Sequence, residues 1–145
     1  MKREEIEKYL KQRNVIEKSV DKERIKSLIN SAEQNVKSVK SNISLKEDTS
    51  TIIFKEIYDS IRSVAYAFWW LEGYEVVRQH EVSLSILNQL DLKNKYKLNF
   101  LERFKKIRND ASYRGFKVSV EQAKEIIDFW NDCMVEALKI IKGRI

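Results

Sequence analysis

Apolar side chains recur every three or four positions along most of the chain. Between Asp21 and Ile43 the repeat falls at Ile25, Leu28, Ile29, Ala32, Val36, Val39 and Ile43. Lys, Glu and Ser fill the positions between them, so this stretch predicts an amphipathic helix with one buried stripe. Ile6, Tyr9 and Leu10 predict a shorter helix before it. No segment alternates apolar and polar residues over a useful length, so the sequence predicts no sheet.

A second helix is predicted from about Thr51 to Glu72, and its second half is apolar on nearly every side. Such a helix packs against several neighbours at once, which makes it the expected centre of the fold. Gly73 follows it and predicts a left-handed helix cap. Trp69, Trp70 and Trp130 all belong to helical apolar patterns, and they are expected in the core or at a dimer interface.

Three more helices are predicted in the second half of the chain. The first runs from about Arg78 to Leu90, and the polar stretch DLKNKYK then predicts a connector. The next runs from about Leu98 to Ser112. The last begins with Ser119 and Gln122 at capping-box spacing and continues to Gly143. Together the patterns predict an all-α fold, an antiparallel bundle of four core helices with short additional ones.

The size and composition of the chain restrict the class of protein. Its 145 residues suit one domain, 1–145, and it contains no proline and three glycines, which favours long helices. The N-terminus is charged from its second residue, and the longest apolar run, VAYAFWWL, is too short to span a membrane. We therefore expect a cytoplasmic protein without a membrane segment.

Cysteine and histidine are too scarce to form a zinc site. Cys133 is the single cysteine, so it cannot form an intramolecular disulfide, and it is expected in the core. The chain also has one histidine, His80, which leaves a zinc ion without a ligand set. No glycine-rich phosphate loop occurs, and we predict neither a metal nor a cofactor.

The formal charge of +6 is concentrated in one segment. Nine Lys or Arg residues lie between Lys93 and Lys117 against Glu102 and Asp110, a local balance of +7. Such a segment attracts phosphate groups or nucleic acid. A solvated helix face that keeps the protein in solution would look the same in the sequence.

Within this segment, the stretch RNDASY (108–113) carries the candidate chemistry. On a helix, Arg108 falls between Leu101 and Phe104 in azimuth, at the edge of the apolar stripe. An arginine there needs a carboxylate, a carbonyl or a bound anion to offset its burial.

Three stretches together resemble the HEPN superfamily of helical prokaryotic toxins and RNA-processing or defence proteins. They are the alanine-rich helix with its Gly-Tyr and His-Glu continuation (Tyr58–Glu81), the polar RFKKIRNDASYRG segment (Arg103–Gly115) and the closing helix (Val118–Ile141). Their order and spacing, over most of residues 50–142, carry the resemblance.

The resemblance implies a homodimer in which the Arg-Asn motifs of two chains face a shared cleft. In active members an Arg and a His are separated by four to six intervening residues, and the pair cleaves RNA without a metal. Arg108 and Asn109 match the start of that motif, but Tyr113 stands where a four-residue spacing places the His. A tyrosine titrates near ~10, so it is a poor base at neutral pH, although it can bind a phosphate or stack on a base.

These observations lead to one main hypothesis and two alternatives. The main hypothesis is a HEPN-like homodimer with a basic cleft for RNA or a nucleotide and a degenerate nuclease motif. Its expected binding residues are Arg103, Lys106, Arg108, Asn109, Tyr113 and Arg114. The resemblance also implies pairing with a minimal nucleotidyltransferase, as in toxin–antitoxin or defence systems, with Tyr113 as a candidate acceptor of AMP.

The first alternative is an active, metal-independent endoribonuclease that uses Arg108 with Tyr113 or His80. His80 lies near the start of the fourth predicted helix, where a packing or capping role is the other interpretation. The second alternative is a non-catalytic interaction module, in which Arg108 pairs with Asp110 and the basic segment is merely solvated.

Overall fold

Helices form most of the structure, a computed structural model that describes residues 3–78 and 80–145, without the side chains of His80 and Glu81. The α-helices are α1 (Arg3–Lys11), α2 (Lys22–Asn42), α3 (Ser50–Leu71), α4 (Leu101–Tyr113), α5 (Val120–Phe129) and α6 (Val135–Gly143). A π-helical turn, Trp130–Met134, joins α5 to α6 in one continuous run. Two 3-10 helices, His80–Gln89 and Lys95–Phe100, lie between α3 and α4. The prediction of an all-α fold class is confirmed.

Helix α3 lies at the centre of the core, as its apolar pattern predicts. It packs against α2, α4 and α5, and Phe54, Ile57, Ile61 and Trp69 on it are fully buried. Phe54 meets Phe104 of α4 edge to face, with ring centroids 5.8 Å apart. Aromatic contacts of this kind add specific geometry to the burial of apolar area. The position of α4 on α3 is therefore set largely by packed rings.

Polar contacts between helices show the direction in which each one runs. The contacts are Lys142–Glu33 (2.6 Å), Lys40–Asn131 (2.8 Å), Arg144–Glu72 (2.9 Å), Ser50–Val118 (2.5 Å), Lys97–Asp132 (2.5 Å) and Arg103–Glu125. The earlier residue of α2, Glu33, contacts the later residue of the α5–α6 run, Lys142, and the later residue, Lys40, contacts the earlier one, Asn131. Helix α2 and the α5–α6 run are therefore antiparallel. The same holds for the 95–103 stretch against α5 and the π-helical turn. Helix α3 runs parallel to the α5–α6 run.

The sequence predicted no sheet, and this is wrong for six residues. Strand β1 (Val15–Glu17) pairs antiparallel with β2 (Tyr74–Val76), with Val15 opposite Val76. Three residues per strand are too few to show an alternating pattern, which is why the sequence did not reveal them. Gly73 precedes β2 with a φ of +93°, as predicted for a left-handed cap, and its carbonyl accepts a hydrogen bond from the Lys18 amide.

Residues 80–89 form a 3-10 helix where an α-helix was predicted. The apolar residues of that pattern, Val82, Ile86 and Leu90, are nevertheless buried. Side chains supply partners to carbonyls that an α-helix would pair internally. The Ser85 hydroxyl donates to the Val82 carbonyl (2.6 Å), and the Trp69 indole donates to the Ser83 carbonyl (3.0 Å). Such bonds favour the tighter helix.

The predicted polar connector after this helix is partly wrong. Leu92 is buried, and the chain enters the second 3-10 helix already at Lys95. The Lys93 amide donates to the Glu136 carboxylate (2.9 Å), which holds the segment against α6. The remaining local predictions agree with the structure: Ser119 and Gln122 form a capping box, and Cys133 is buried.

Trp69 and Trp130 are buried in the core, and Trp70 is half-buried beside it. A search of the described residues found no helix with the length and hydropathy needed to cross a membrane.

Candidate functional site

Helix α4 carries the RNDASY stretch and ends in an exposed turn, residues 113–117. The amides of Arg114 and Phe116 both donate to the Asp110 carbonyl, and Gly115 between them has a φ of +70°. Glycine adopts this left-handed conformation without the steric cost of a side chain. The turn then joins Val118, which is hydrogen-bonded to the hydroxyls of Ser50 and Thr51 at the start of α3. The end of α4 is thus fixed beside the N-terminus of α3.

Arg108 points toward α3, and 16% of its side chain is exposed. Its Nη2 lies 3.5 Å from Oδ1 of Asp59, a residue of α3. The helical pattern placed Arg108 at the edge of the apolar stripe and required a carboxylate, a carbonyl or a bound anion as its partner. The structure agrees with that reasoning and identifies the partner. Asp110, the partner in the interaction-module hypothesis, lies instead 3.9 Å from Arg114.

The Asp59 carboxylate also serves a second arginine. Nη2 of Arg62 lies 3.4 Å from the same Oδ1 atom, and 27% of the Arg62 side chain is exposed. Arg62, Asp59 and Arg108, here called the arginine–aspartate cluster, therefore combine two positive charges with one negative charge. Since both guanidiniums approach a single oxygen, neither forms the two parallel hydrogen bonds of a bidentate pair.

Two polar atoms beside the cluster are buried without a hydrogen-bond partner among the described residues. They are Nε of Arg108 and Oγ of Ser112. Ser112 lies four positions after Arg108 on α4, so the two side chains share one face of the helix. A buried donor left unpaired costs about 1–3 kcal/mol. The protein therefore maintains donors here that its own described side chains do not use.

Tyr58 borders the cluster but does not supply the missing negative charge. Burial raises the pKa of Tyr58 to about 12, although the nearby Arg62 and Arg108 guanidiniums act in the opposite direction. The phenol is therefore neutral at physiological pH. The cluster keeps an excess of one positive charge, partly shielded from water, and an anion is the ligand that such a site accepts most readily.

The other predicted binding residues do not all lie with Arg108. At ~100° per residue, Lys106 and Tyr113 are turned roughly 140° to 160° away from Arg108 around α4. Both are exposed, and 78% of Tyr113 is accessible. Asn109 is half-buried and lies about 100° from Arg108 around the helix, between Arg108 and Tyr113. Within one chain, the structure therefore does not bring Arg108 and Tyr113 together.

Two predicted arginines have neighbours of their own. Arg103 forms a bidentate pair with Glu125 of α5 and lies over the Phe100 and Phe104 rings. Arg114 stacks on Phe116, with its guanidinium carbon 4.7 Å from the ring centroid. Arg103 thus links α4 to α5, whereas Arg114 stays in the exposed turn. The side chain of His80, the other catalytic candidate, lies outside the described residues.

In the folded protein, acidic residues from other elements offset part of the positive charge of the 93–117 segment. Asp132, Glu125 and Asp59 come from other elements and pair with Lys97, Arg103 and Arg108. Those three acids, together with Arg62, which shares Asp59, lower the local balance from +7 to +5. In the described part of the chain, no group of His, Cys, Asp or Glu is arranged to hold a metal ion.

Sequence reasoning missed three residues that complete the site: Asp59, Arg62 and Ser112. A usable signal existed in YDSIRS, where two opposite charges interrupt the most apolar helix of the chain. Charged residues at such positions are rarely buried unless they are paired. Their partner on α4, Arg108, could not be identified from the sequence, because the contact depends on how α3 and α4 cross.

Comparisons with models of known families, with curated proteins and with solved structures found no match to this chain.

Proposed function

We propose that this chain is a HEPN-like protein that acts as a homodimer and binds RNA or a nucleotide through the arginine–aspartate cluster, with a degenerate nuclease motif. One observation carries the proposal: two partly buried guanidiniums share a single carboxylate, and the Nε of one of them, Arg108, has no hydrogen-bond partner among the described residues. Phosphate oxygens accept charge-assisted hydrogen bonds from such donors. The HEPN resemblance supplies the expectation that the phosphate belongs to RNA.

The proposed dimer uses the face formed by the start of α3 and the exposed turn 113–117. Ile52, Tyr113 and Phe116 expose 59%, 78% and 52% of their surface there, more than large apolar side chains usually do. Val118 joins the turn to the start of α3, so the three side chains belong to neighbouring elements. A second copy of the chain on this face would cover them and bring two clusters toward one cleft.

Pairing with a minimal nucleotidyltransferase, in a toxin–antitoxin or defence system, remains part of the proposal through the resemblance. The exposure of Tyr113 supports it, because a modifying enzyme needs access to the hydroxyl. Arg114 and Lys117 are exposed in the same turn. An AMP group on Tyr113 would place negative charge among them and weaken the attraction of RNA.

A metal-independent endoribonuclease is the weaker candidate. Arg108 and Tyr113 lie on different sides of α4, so they could act on one phosphate only if two chains each contributed one of them. An interaction module without any ligand is disfavoured by Nε of Arg108, which is buried and finds no hydrogen-bond partner in the described part of the chain.

The test is binding of fluorescently labelled single-stranded RNA, measured by anisotropy at low and moderate salt. Arg108→Met removes the charge and keeps most of the apolar stem, and we expect it to weaken binding at least about tenfold. Lys139→Met removes an equal charge from an exposed position of α6 and is expected to change binding about twofold or less. Equal losses in the two variants would show that only net charge matters.

The same samples also test the endoribonuclease alternative. Intact RNA after prolonged incubation, resolved on a denaturing gel, supports the degenerate motif. Cleavage that disappears in Arg108→Met would show instead that the chain is a nuclease.

A further inference from the structure

The donors around the arginine–aspartate cluster exceed what its single carboxylate can accept. An arginine offers five N–H groups, and here each guanidinium approaches Asp59 through one nitrogen, Nη2. Nε of Arg108, one of these five, is buried and unused among the described residues, and Oγ of Ser112 adds a further buried donor of the same kind. A ligand that satisfies this set must present several acceptor oxygens at one point.

The cluster is also recessed between two helices. Arg108 and Arg62 expose 16% and 27% of their side chains, so only their edges reach the surface. A phosphodiester in the middle of an RNA strand presents two non-bridging oxygens, and the strand must continue on both sides of it. A terminal phosphate monoester presents three oxygens and continues on one side only. Its shape therefore fits a recessed site better.

Charge favours the same ligand. A phosphate monoester carries about −1.5 to −2 at pH 7, against −1 for a phosphodiester. With the Asp59 carboxylate withdrawn, the two arginines present +2, which a monoester neutralises and a phosphodiester does not. Asp59 is 39% exposed, so its side chain has open solvent into which it can turn.

We propose that Arg62, Arg108 and Ser112 form a site for a terminal phosphate monoester, at the position that the Asp59 carboxylate holds in the unliganded protein. Asp59 is then an internal competitor: it balances the arginines until a phosphate displaces it. This inference rests on the proposed function and names its ligand as a phosphorylated RNA end or a nucleoside monophosphate, in contrast to the interior of an RNA strand.

The experiment compares two RNAs of one sequence, one with a 5′-phosphate and one with a 5′-hydroxyl, and compares AMP with adenosine. Calorimetric titration of the 145-residue chain is expected to give at least about tenfold tighter binding to the phosphorylated member of each pair. That preference should disappear in Arg62→Met and Arg108→Met and persist in Lys139→Met. Arg108→Lys, which keeps the charge but not the fork of donors, should lose most of it.

Asp59→Asn tests the competition. It removes the internal negative charge and keeps the side-chain shape, so affinity for AMP should rise by up to about fivefold, the effect expected from losing a partly exposed ion pair. Weaker AMP binding in Asp59→Asn would overturn the competition and make Asp59 a positioning residue. Thermal unfolding of each variant shows whether it is folded.

The outcomes separate this inference from the proposed function. Equal affinity for the phosphorylated and unphosphorylated RNAs, with both arginines required, would leave RNA binding intact and overturn the terminal-phosphate site. AMP bound through both arginines without any RNA binding would support the site and overturn the RNA part of the proposed function. Absence of binding to every ligand would overturn both.

Discussion

Asp59 and Arg108 show how residues of one cluster can affect stability in opposite directions. Asp59 offsets two guanidiniums, whereas Arg108 brings a second positive charge and a buried Nε that no described residue pairs with. Removing one member of a partly buried pair leaves the other charge uncompensated, but replacing a poorly satisfied charge by an apolar group is often neutral or favourable. Substitutions of Asp59 and Arg108 should therefore affect the free energy of unfolding differently.

We predict that Arg108→Met leaves the free energy of unfolding unchanged or raises it slightly. Asp59→Ala should lower it by about 1 kcal/mol, a modest cost because solvent screens a carboxylate that is 39% exposed. Urea denaturation followed by circular dichroism measures both. A loss above about 1 kcal/mol in Arg108→Met would mean that this arginine serves stability, against the assignment of a binding role.

Tyr58, beside the cluster, makes the free energy of unfolding depend on pH. Its pKa is raised from 10.0 to about 12, mainly by burial, so the folded protein holds the phenol proton more tightly than the unfolded chain does. The contribution of the protonated phenol to the free energy of unfolding is fully present below pH 10. It is lost as the pH rises toward 12, because the folded-state pKa is higher than the unfolded-state pKa. Its full size is up to about 2.7 kcal/mol, of which about half is expected to be gone by pH 11.

The comparison of wild type with Tyr58→Phe isolates this effect. Burial also raises the pKa values of Tyr66 and Cys133, and both groups remain in the variant, so their contributions cancel in the difference. Between pH 9 and pH 11, wild type should lose more unfolding free energy than Tyr58→Phe. Parallel pH profiles of the two proteins would show that Tyr58 titrates normally.

At the level of elements, the short sheet depends on the turn between α3 and β2. Gly73 has a φ of +93° there, and its carbonyl accepts a hydrogen bond from Lys18 next to β1. A side chain in this left-handed conformation costs about 1 kcal/mol or more. The cap thus holds both the end of the central helix and the start of β2.

We predict that Gly73→Ala lowers the free energy of unfolding by about 1–2 kcal/mol. Gly143→Ala is the matched control: apart from its chain neighbours and the local helix backbone, no described atom lies within 4 Å of a Cβ added there, and Gly143 is the last residue of α6. It should be neutral or slightly stabilising, because alanine favours helices. Chemical denaturation of both variants checks the prediction, and equal effects would contradict the special role of the turn.

The elements themselves differ in how well the sequence predicts them. Helices α2, α3 and α4 follow from their apolar spacing within a few residues, because each is long enough to repeat its pattern. The strands and the 3-10 form of residues 80–89 depend on contacts with distant residues, such as the Trp69 bond to Ser83. In the site, the azimuth of Arg108 on its helix predicted its place at the edge of the apolar stripe, and the HEPN resemblance pointed to the same residue. Its partner Asp59 could not be identified from the sequence, because the contact depends on how α3 and α4 cross.

At the scale of the whole molecule, the proposed dimerisation would connect the exposed apolar face with the arginine–aspartate cluster. If a second copy covers the start of α3, a charge placed there should separate the two chains, because the interface would bury it unpaired. Helix α6 offers a control position, Val135, which is 52% exposed compared with 59% for Ile52.

Light scattering coupled to size-exclusion chromatography is expected to give the mass of a dimer for wild type and for Val135→Glu. Ile52→Glu should give a monomer or a concentration-dependent mixture, with an unchanged helical circular dichroism spectrum. A monomeric wild type, or a dimer that survives Ile52→Glu, would contradict this choice of interface.

The most direct measurement of the anion site observes Nε of Arg108 itself. Two-dimensional 15N–1H NMR detects arginine Nε–H groups, and the signal that disappears in Arg108→Lys identifies this one. During titration with AMP, we predict a saturable shift of the Arg108 signal, while that of Arg103, already paired with Glu125, stays in place. An Arg108 signal that does not move while AMP binds elsewhere would contradict the assignment of this cluster as a phosphate site.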